Sequence, residues 1–154
     1  MQFGRALAEA GICVVSGMAL GVDGASHQGA LQFAKPQGPR SSASNSSASG
    51  TNASYWTTVG VVGTGLDQVY PRHHEALANE VIAHGVLISE YPLGTPPLAA
   101  NFPQRNRLIA ALGLGTLVVE AAMRSGSLIT ARMALHMGRE VMAVPGSIHA
   151  MQSH

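Results

Sequence analysis

The 154-residue sequence predicts an α/β fold with a doubly wound, mainly parallel sheet, and three observations lead there. Five short, β-branched, apolar runs recur without polar alternation, as expected of parallel strands buried on both faces. Helix-period segments separate them, the alternation that builds βαβ units. Glycine, serine and acidic residues gather where the runs end, and open α/β sheets bind ligands beyond the carboxyl ends of their strands.

Taken in order, a helix is expected over Gln2–Ala10 and a strand over Ile12–Ser16. The strand runs into a glycine-rich turn that holds Gly17 and Gly21, and Asp23 offers a side-chain N-cap for a helix Asp23–Phe33. Lys35–Thr58 is rich in Ser, Asn and Ala, has no hydrophobic period before Tyr55 and Trp56, and predicts a flexible surface insertion. Two glycosylation-type triplets inside it, at Asn45 and Asn52, read as chance matches. Next come a strand Val59–Gly63, a helix His73–His84, a strand Val86–Ser89 ending on Glu90, and a helix Phe102–Leu112 with Pro103 in its first turn. A strand Thr116–Val119 ends on Glu120, a helix Ser127–Met137 is capped by Ser127, and a strand Val141–Val144 runs into Pro145-Gly146-Ser147. At this length residues 1–154 make one domain, since single domains cluster at about 100–150 residues.

Composition narrows the function classes. Only 11% of the residues are charged against 46% hydrophobic, a surface so weakly charged that a partner or a further segment is expected. The net charge of +1 decides nothing, but between positions 101 and 139 five arginines face the single acid Glu120, a patch that attracts phosphate. The lone cysteine, Cys13, closes no intrachain disulfide and reads as a small buried hydrophobe in a reducing, cytoplasmic protein. The uncharged run Ala10–Val22 is rejected as a signal peptide, because it follows Arg5 and Glu9 and contains three glycines. No apolar stretch approaches the ~20 residues of a membrane span, so no membrane is expected.

The candidate site centres on Asn-Phe-Pro-Gln-Arg-Asn-Arg at 101–107. At ~100° per residue Phe102, Arg105 and Asn106 share a helix face and Arg107 points nearly opposite. An arginine on an apolar stripe needs an anionic partner, a carboxylate or a ligand phosphate. A ring beside a cation is what single-stranded nucleic acid requires, for stacking and for the backbone. A core phenylalanine with an Arg105–Glu120 structural ion pair explains the same residues, and chemistry alone leaves both open. Arg124-Ser-Gly-Ser127 precedes a helix, where unpaired backbone N–H groups form an anion site at Gly126 and Ser127.

Other chemistries fare worse. The glycines at 17, 21 and 24, and those at 63 and 65, miss the G-x-G-x-x-G fingerprint, so no dinucleotide cofactor is expected. Seven histidines show no ligand spacing, with His73 and His74 adjacent and His27, His84 and His136 on separate helices, so no metal is expected. Ser16, Ser127 and Ser147 have no His or Lys beside them to complete a triad, and no catalytic residue is assigned.

The segments 14–27 (Val-Val-Ser-Gly-Met-Ala-Leu-Gly-Val-Asp-Gly-Ala-Ser-His), 63–71 (Gly-Thr-Gly-Leu-Asp-Gln-Val-Tyr-Pro), 101–110, 118–121, 124–131 and 138–148 together resemble the DprA/Smf family of DNA-processing proteins. The resemblance covers the chain outside the insertion. It implies a Rossmann-like domain that binds single-stranded DNA, forms homodimers, and loads the recombinase RecA during natural transformation, with no catalytic step. It implies DNA contacts at Phe102 and Arg105 in a pocket lined by Gly17, Gly126 and Ser127, and Ser16, Asn106, Arg107, Glu120 and Arg124 complete the expected interface. It also implies a fragment or degenerate copy, whose sheet lacks the family's first strand with its Gly-Ser-Arg turn and which stops short of the family's dimer-forming helix. Two alternatives stand beside this reading. One is a phosphoribohydrolase-like nucleotide-binding enzyme acting through Glu120 after a Gly113-Leu-Gly115 turn, and the other is a truncated, non-functional copy.

Overall fold

A computed structural model describes residues 1–34, 56–121 and 125–145. Helices and strands alternate as the sequence predicts. In chain order they are α1 (Gln2–Glu9), β1 (Val14–Ser16), α2 (Val22–Ala34), β2 (Thr58–Val61), a 3-10 turn Arg72–His74, α3 (Glu75–His84), β3 (Val86–Ile88), α4 (Asn101–Leu112), β4 (Gly115–Val118), α5 (Gly126–His136) and β5 (Glu140–Ala143).

All strand pairs are parallel. β2 is central in a three-stranded sheet of order β1-β2-β3, with Val15 opposite Val59 and Gly60 opposite Leu87. β4 and β5 form a second ladder, with Thr116 opposite Val141. The five strands expected in one sheet therefore hydrogen-bond as two groups among the described residues. α4 links them, packing on β1 and β2 on one side and on α5 on the other.

The core lies around the first sheet. Met18, Leu31, Val62, Leu77, Ala78 and Val81 pack together, and Ala8, Val14 and Ala30 fill the space under α1. Small residues let α1 lie close on α2: a side chain on Gly4 would strike the Ser26 carbonyl, and one on Gly29 would strike that of Met1. α1 ends where Gly11 takes φ 76°, and Gly138 at φ 69° does the same after α5, the left-handed geometry glycine adopts at helix carboxyl ends.

Four expectations are corrected. Thr58 belongs to β2 rather than to the insertion; fully buried, its hydroxyl lies 3.0 Å from the Val14 carbonyl, while residues 35–55 fall outside the described residues. Cys13 is exposed, because β1 begins one residue later. Asp23 lies inside the first turn of α2 instead of preceding it. Ser127 is likewise inside α5, whose N-cap is Ser125. In both turns the helix starts earlier than the last polar residue before its apolar face. Among the described residues no helix is long and apolar enough to cross a membrane.

Candidate nucleic-acid interface

The carboxyl end of β1 is pinned by side chains. Ser16 Oγ donates to Asp23 Oδ1 at 2.8 Å, and Asp23 Oδ2 accepts the Ala19 N–H at 3.3 Å. The Gly17 carbonyl accepts from His27 Nε2 at 2.8 Å and the Met18 carbonyl from His74 Nδ1 at 2.8 Å. His27 is fully buried, and its other nitrogen lies 2.6 Å from the Thr58 hydroxyl. Because a carbonyl only accepts, Nε2 carries the proton that His27 donates to Gly17. Burial pushes His27 down from its ordinary value, against smaller upward pulls from the Gly17 hydrogen bond and Asp23.

Arg105 lies against the open side of Gly17. A Cβ at Gly17 would sit 2.7 and 2.8 Å from the guanidinium nitrogens and 2.6 Å from Asp23 Oδ2, so only glycine lets the three groups meet. Arg105 is 6% exposed; it donates to the Val61 carbonyl from Nη1 and to Asn106 Oδ1 from Nε at 3.2 Å. Burial pushes its pKa down, while Asp23 and Tyr91 favour its charge. No ion pair joins it to Glu120, which is exposed after β4. The structural-pair alternative is thus replaced by a buried cation held on a backbone carbonyl with a carboxylate nearby.

Asn106 carries the connection onward, its Nδ2 donating to the Gly126 carbonyl at 3.3 Å in the first turn of α5. Gly126 and Ser127 are exposed there, and the Ser125 Oγ is buried without a partner among the described residues. Phe102 is half-buried on the same helix, its ring centroid 5.4 Å from that of Tyr70 at a 34° tilt. Asn101 fixes the start of α4 by donating to the Gly63 carbonyl at 3.0 Å, and the Tyr91 hydroxyl donates to the Asn101 carbonyl at 3.2 Å.

The structure therefore brings together Ser16, Gly17, Arg105, Asn106 and Gly126 in one contact chain, with Phe102 beside it at the end of β2. Arg107 points away, exposed and ion-paired with Glu90, as the helix-face argument expects. Glu120 and Ser127 are exposed and hydrogen-bond to none of these side chains. Arg124 lies outside the described residues. The sequence reading gave no role to Tyr70 or to the Asn101 side chain, which carry no periodic signal and matter only through distant partners. Among the described residues no three His, Cys, Asp or Glu side chains cluster to hold a metal.

The model of the family described as DNA recombination-mediator protein A matches residues 1–154. The chain belongs to this family. Protein Smf of Escherichia coli is 46% identical over 147 residues, covering 95% of this chain and 34% of that protein. DNA processing protein DprA of Streptococcus pneumoniae is 42% identical over 137 residues, covering 89% of this chain and 41% of that protein. The X-ray structure of DprA from Streptococcus pneumoniae superposes with a TM-score of 0.76 at 38% identity, covering 99% of this chain and 47% of the other. DprA from Helicobacter pylori, whose structure is described as showing a unique single-stranded DNA binding mode, gives 0.70 at 29% identity, covering 95% and 57%. The Rossmann-like α/β fold expected from the sequence is that of these family members. The chain spans about a third to two fifths of the length of the curated relatives it matches.

Proposed function

We propose that this chain binds single-stranded DNA at the carboxyl edge of its first sheet and serves, without a covalent step, as a mediator that hands the strand to the recombinase RecA during natural transformation in the cytoplasm. The observation that carries the reading is the α4 face: Phe102 stands half-buried at the rim, with buried Arg105 behind it and the N-terminus of α5 alongside, joined through Asn106. In that arrangement Phe102 stacks on bases, while Gly126 and Ser127 take phosphate at the helix N-terminus. Arg105 supplies its charge from the floor of the Ser16–Gly17 turn, whereas Arg107 lies on the other side of α4, paired with Glu90. The family membership supports the reading, as does the single-stranded DNA binding described for the Helicobacter pylori protein.

The test is binding of fluorescent oligo-dT across a salt series. Log affinity should fall with log salt at about −0.7 per neutralised phosphate, and Phe102→Ala should weaken binding by ~10-fold with the fold intact. Unchanged affinity in that variant means the site lies elsewhere. The exposed Glu120 at the end of β4 leaves an enzymatic reading its best residue. Release of free base from nucleoside monophosphates that Glu120→Ala abolishes would establish that reading instead.

A further inference from the structure

The chain has seven aromatic residues: three Phe, three Tyr and one Trp. Two of them, Phe102 from α4 and Tyr70 from the loop after β2, meet at the carboxyl edge, with ring centroids 5.4 Å apart. Phe102 is partly covered, but Tyr70 is 48% exposed, and Leu66 and Val69 of the same loop are 47% and 37% exposed. The loop is nonetheless built rigidly. Thr64 Oγ1 donates to the Gln68 carbonyl at 2.8 Å, the Gln68 N–H to the Gly65 carbonyl at 2.9 Å, and the Gly65 N–H to the Thr95 carbonyl at 3.0 Å. Its one acid, Asp67, accepts the Gly94 N–H at 2.8 Å and a 3.3 Å bond from Gln68. Two residues beyond Tyr70, Arg72 is exposed, and its guanidinium has no hydrogen bond or ion pair among the described residues. A fixed, half-open ring contacting a second ring, with a free cation close in the chain, is the composition of a stacking site for a nucleobase.

We propose that Tyr70 is a second base-stacking position of the single-strand interface, forming with Phe102 a two-ring platform, with Arg72 holding the adjoining phosphate. This rests on the single-stranded DNA reading above. A purely structural Tyr70 would do no more than help line the largely apolar pocket it shares with Met18, Val62, Leu66, Val69 and Leu87. The two roles differ in what they require. Covering apolar atoms needs volume, whereas stacking needs a ring.

The test compares an oligo-dT strand with an abasic strand of the same length on the full chain and on Tyr70→Leu and Tyr70→Phe. The wild type should prefer the strand with bases. Tyr70→Leu, which keeps the apolar volume, should cut dT affinity by ~10-fold while changing abasic affinity little. Tyr70→Phe should retain the preference, and Arg72→Ala should weaken both strands alike and lower the salt slope by about 0.7. Equal losses for both strands in Tyr70→Leu, or no loss, overturn the assignment of Tyr70 even while Phe102→Ala still abolishes the preference. A wild type that binds neither strand overturns the single-strand reading and this inference with it.

Discussion

The two halves of the molecule share one βα alternation and fill their interiors differently. Through β3, large apolar side chains close into a core, with Leu31 1%, Val61 0% and Val81 0% exposed. From α4 onward the buried apolar residues among those described are alanines alone, Ala110, Ala131 and Ala134, while Leu112, Leu114, Leu135 and Met142 are each more than half exposed. Neither β4 nor β5 contains a buried residue, whereas β2 buries Thr58, Gly60 and Val61. Hydrophobic stabilisation scales with the apolar area removed from water, so the first half carries the stability and the second is held to it through α4 and α5. The candidate interface lies along that seam, because Arg105 and Asn106 bind backbone from both sides of it.

The largest effect should come from Leu31. Truncating a buried leucine costs about 2–5 kcal/mol, through lost transfer energy and the cavity left behind. Leu31→Ala should therefore lower the denaturation free energy of the whole chain by that amount in a urea titration. A loss under about 1 kcal/mol would break the comparison, since it would mean the first half is not the stabilising one. The same titration tests whether the chain unfolds cooperatively, which a non-functional relic would not.

A second test concerns the buried polar group beneath the interface. His27 is held below its ordinary value by burial, so near neutral pH both states are neutral there, and below about 6.5 the unfolded chain takes up a proton that the folded chain refuses. The unfolded state then binds more protons, and stability must fall as the pH drops through that range, by at most about 1.4 kcal/mol per unit for one group. His27→Gln should flatten that contribution when denaturation midpoints at pH 7.5 and pH 5.5 are compared. If the two proteins lose stability equally, His27 is not the titrating group and the Gly17 turn is not held by a neutral imidazole.

The same contrast explains what the sequence reveals. The strands and helices were legible to within two residues because Val, Ile and Leu runs announce buried strands, and the helical period announces the segments between them. Phe102, Arg105 and Asn106 on one face, with Arg107 opposite, followed from 3.6-residue geometry alone. What Arg105 binds did not follow, because the Val61 carbonyl is 44 residues away and the Gly17 surface lies in the turn after another strand. Tyr70 was invisible for the same reason, its meaning coming from a ring 32 positions later. Thr58 was assigned to the wrong element because a polar, Ser-rich stretch runs up to it, and only its position opposite Val14 makes it a strand residue. The split into two ladders was equally hidden, since β-branched composition marks a strand without naming its neighbour.

The smallest effect, and the sharpest contrast with Leu31, belongs to Leu114. It is 87% exposed between α4 and β4, so replacing it leaves no cavity and frees no apolar surface that folding had covered. Leu114→Ser should change the denaturation free energy by no more than about 0.5 kcal/mol, the range of ordinary surface substitutions. The same leucine-sized change would then cost several-fold less after α4 than before it. A loss comparable to that of Leu31→Ala would show that something covers Leu114 in solution, and the second half would then own a core of its own.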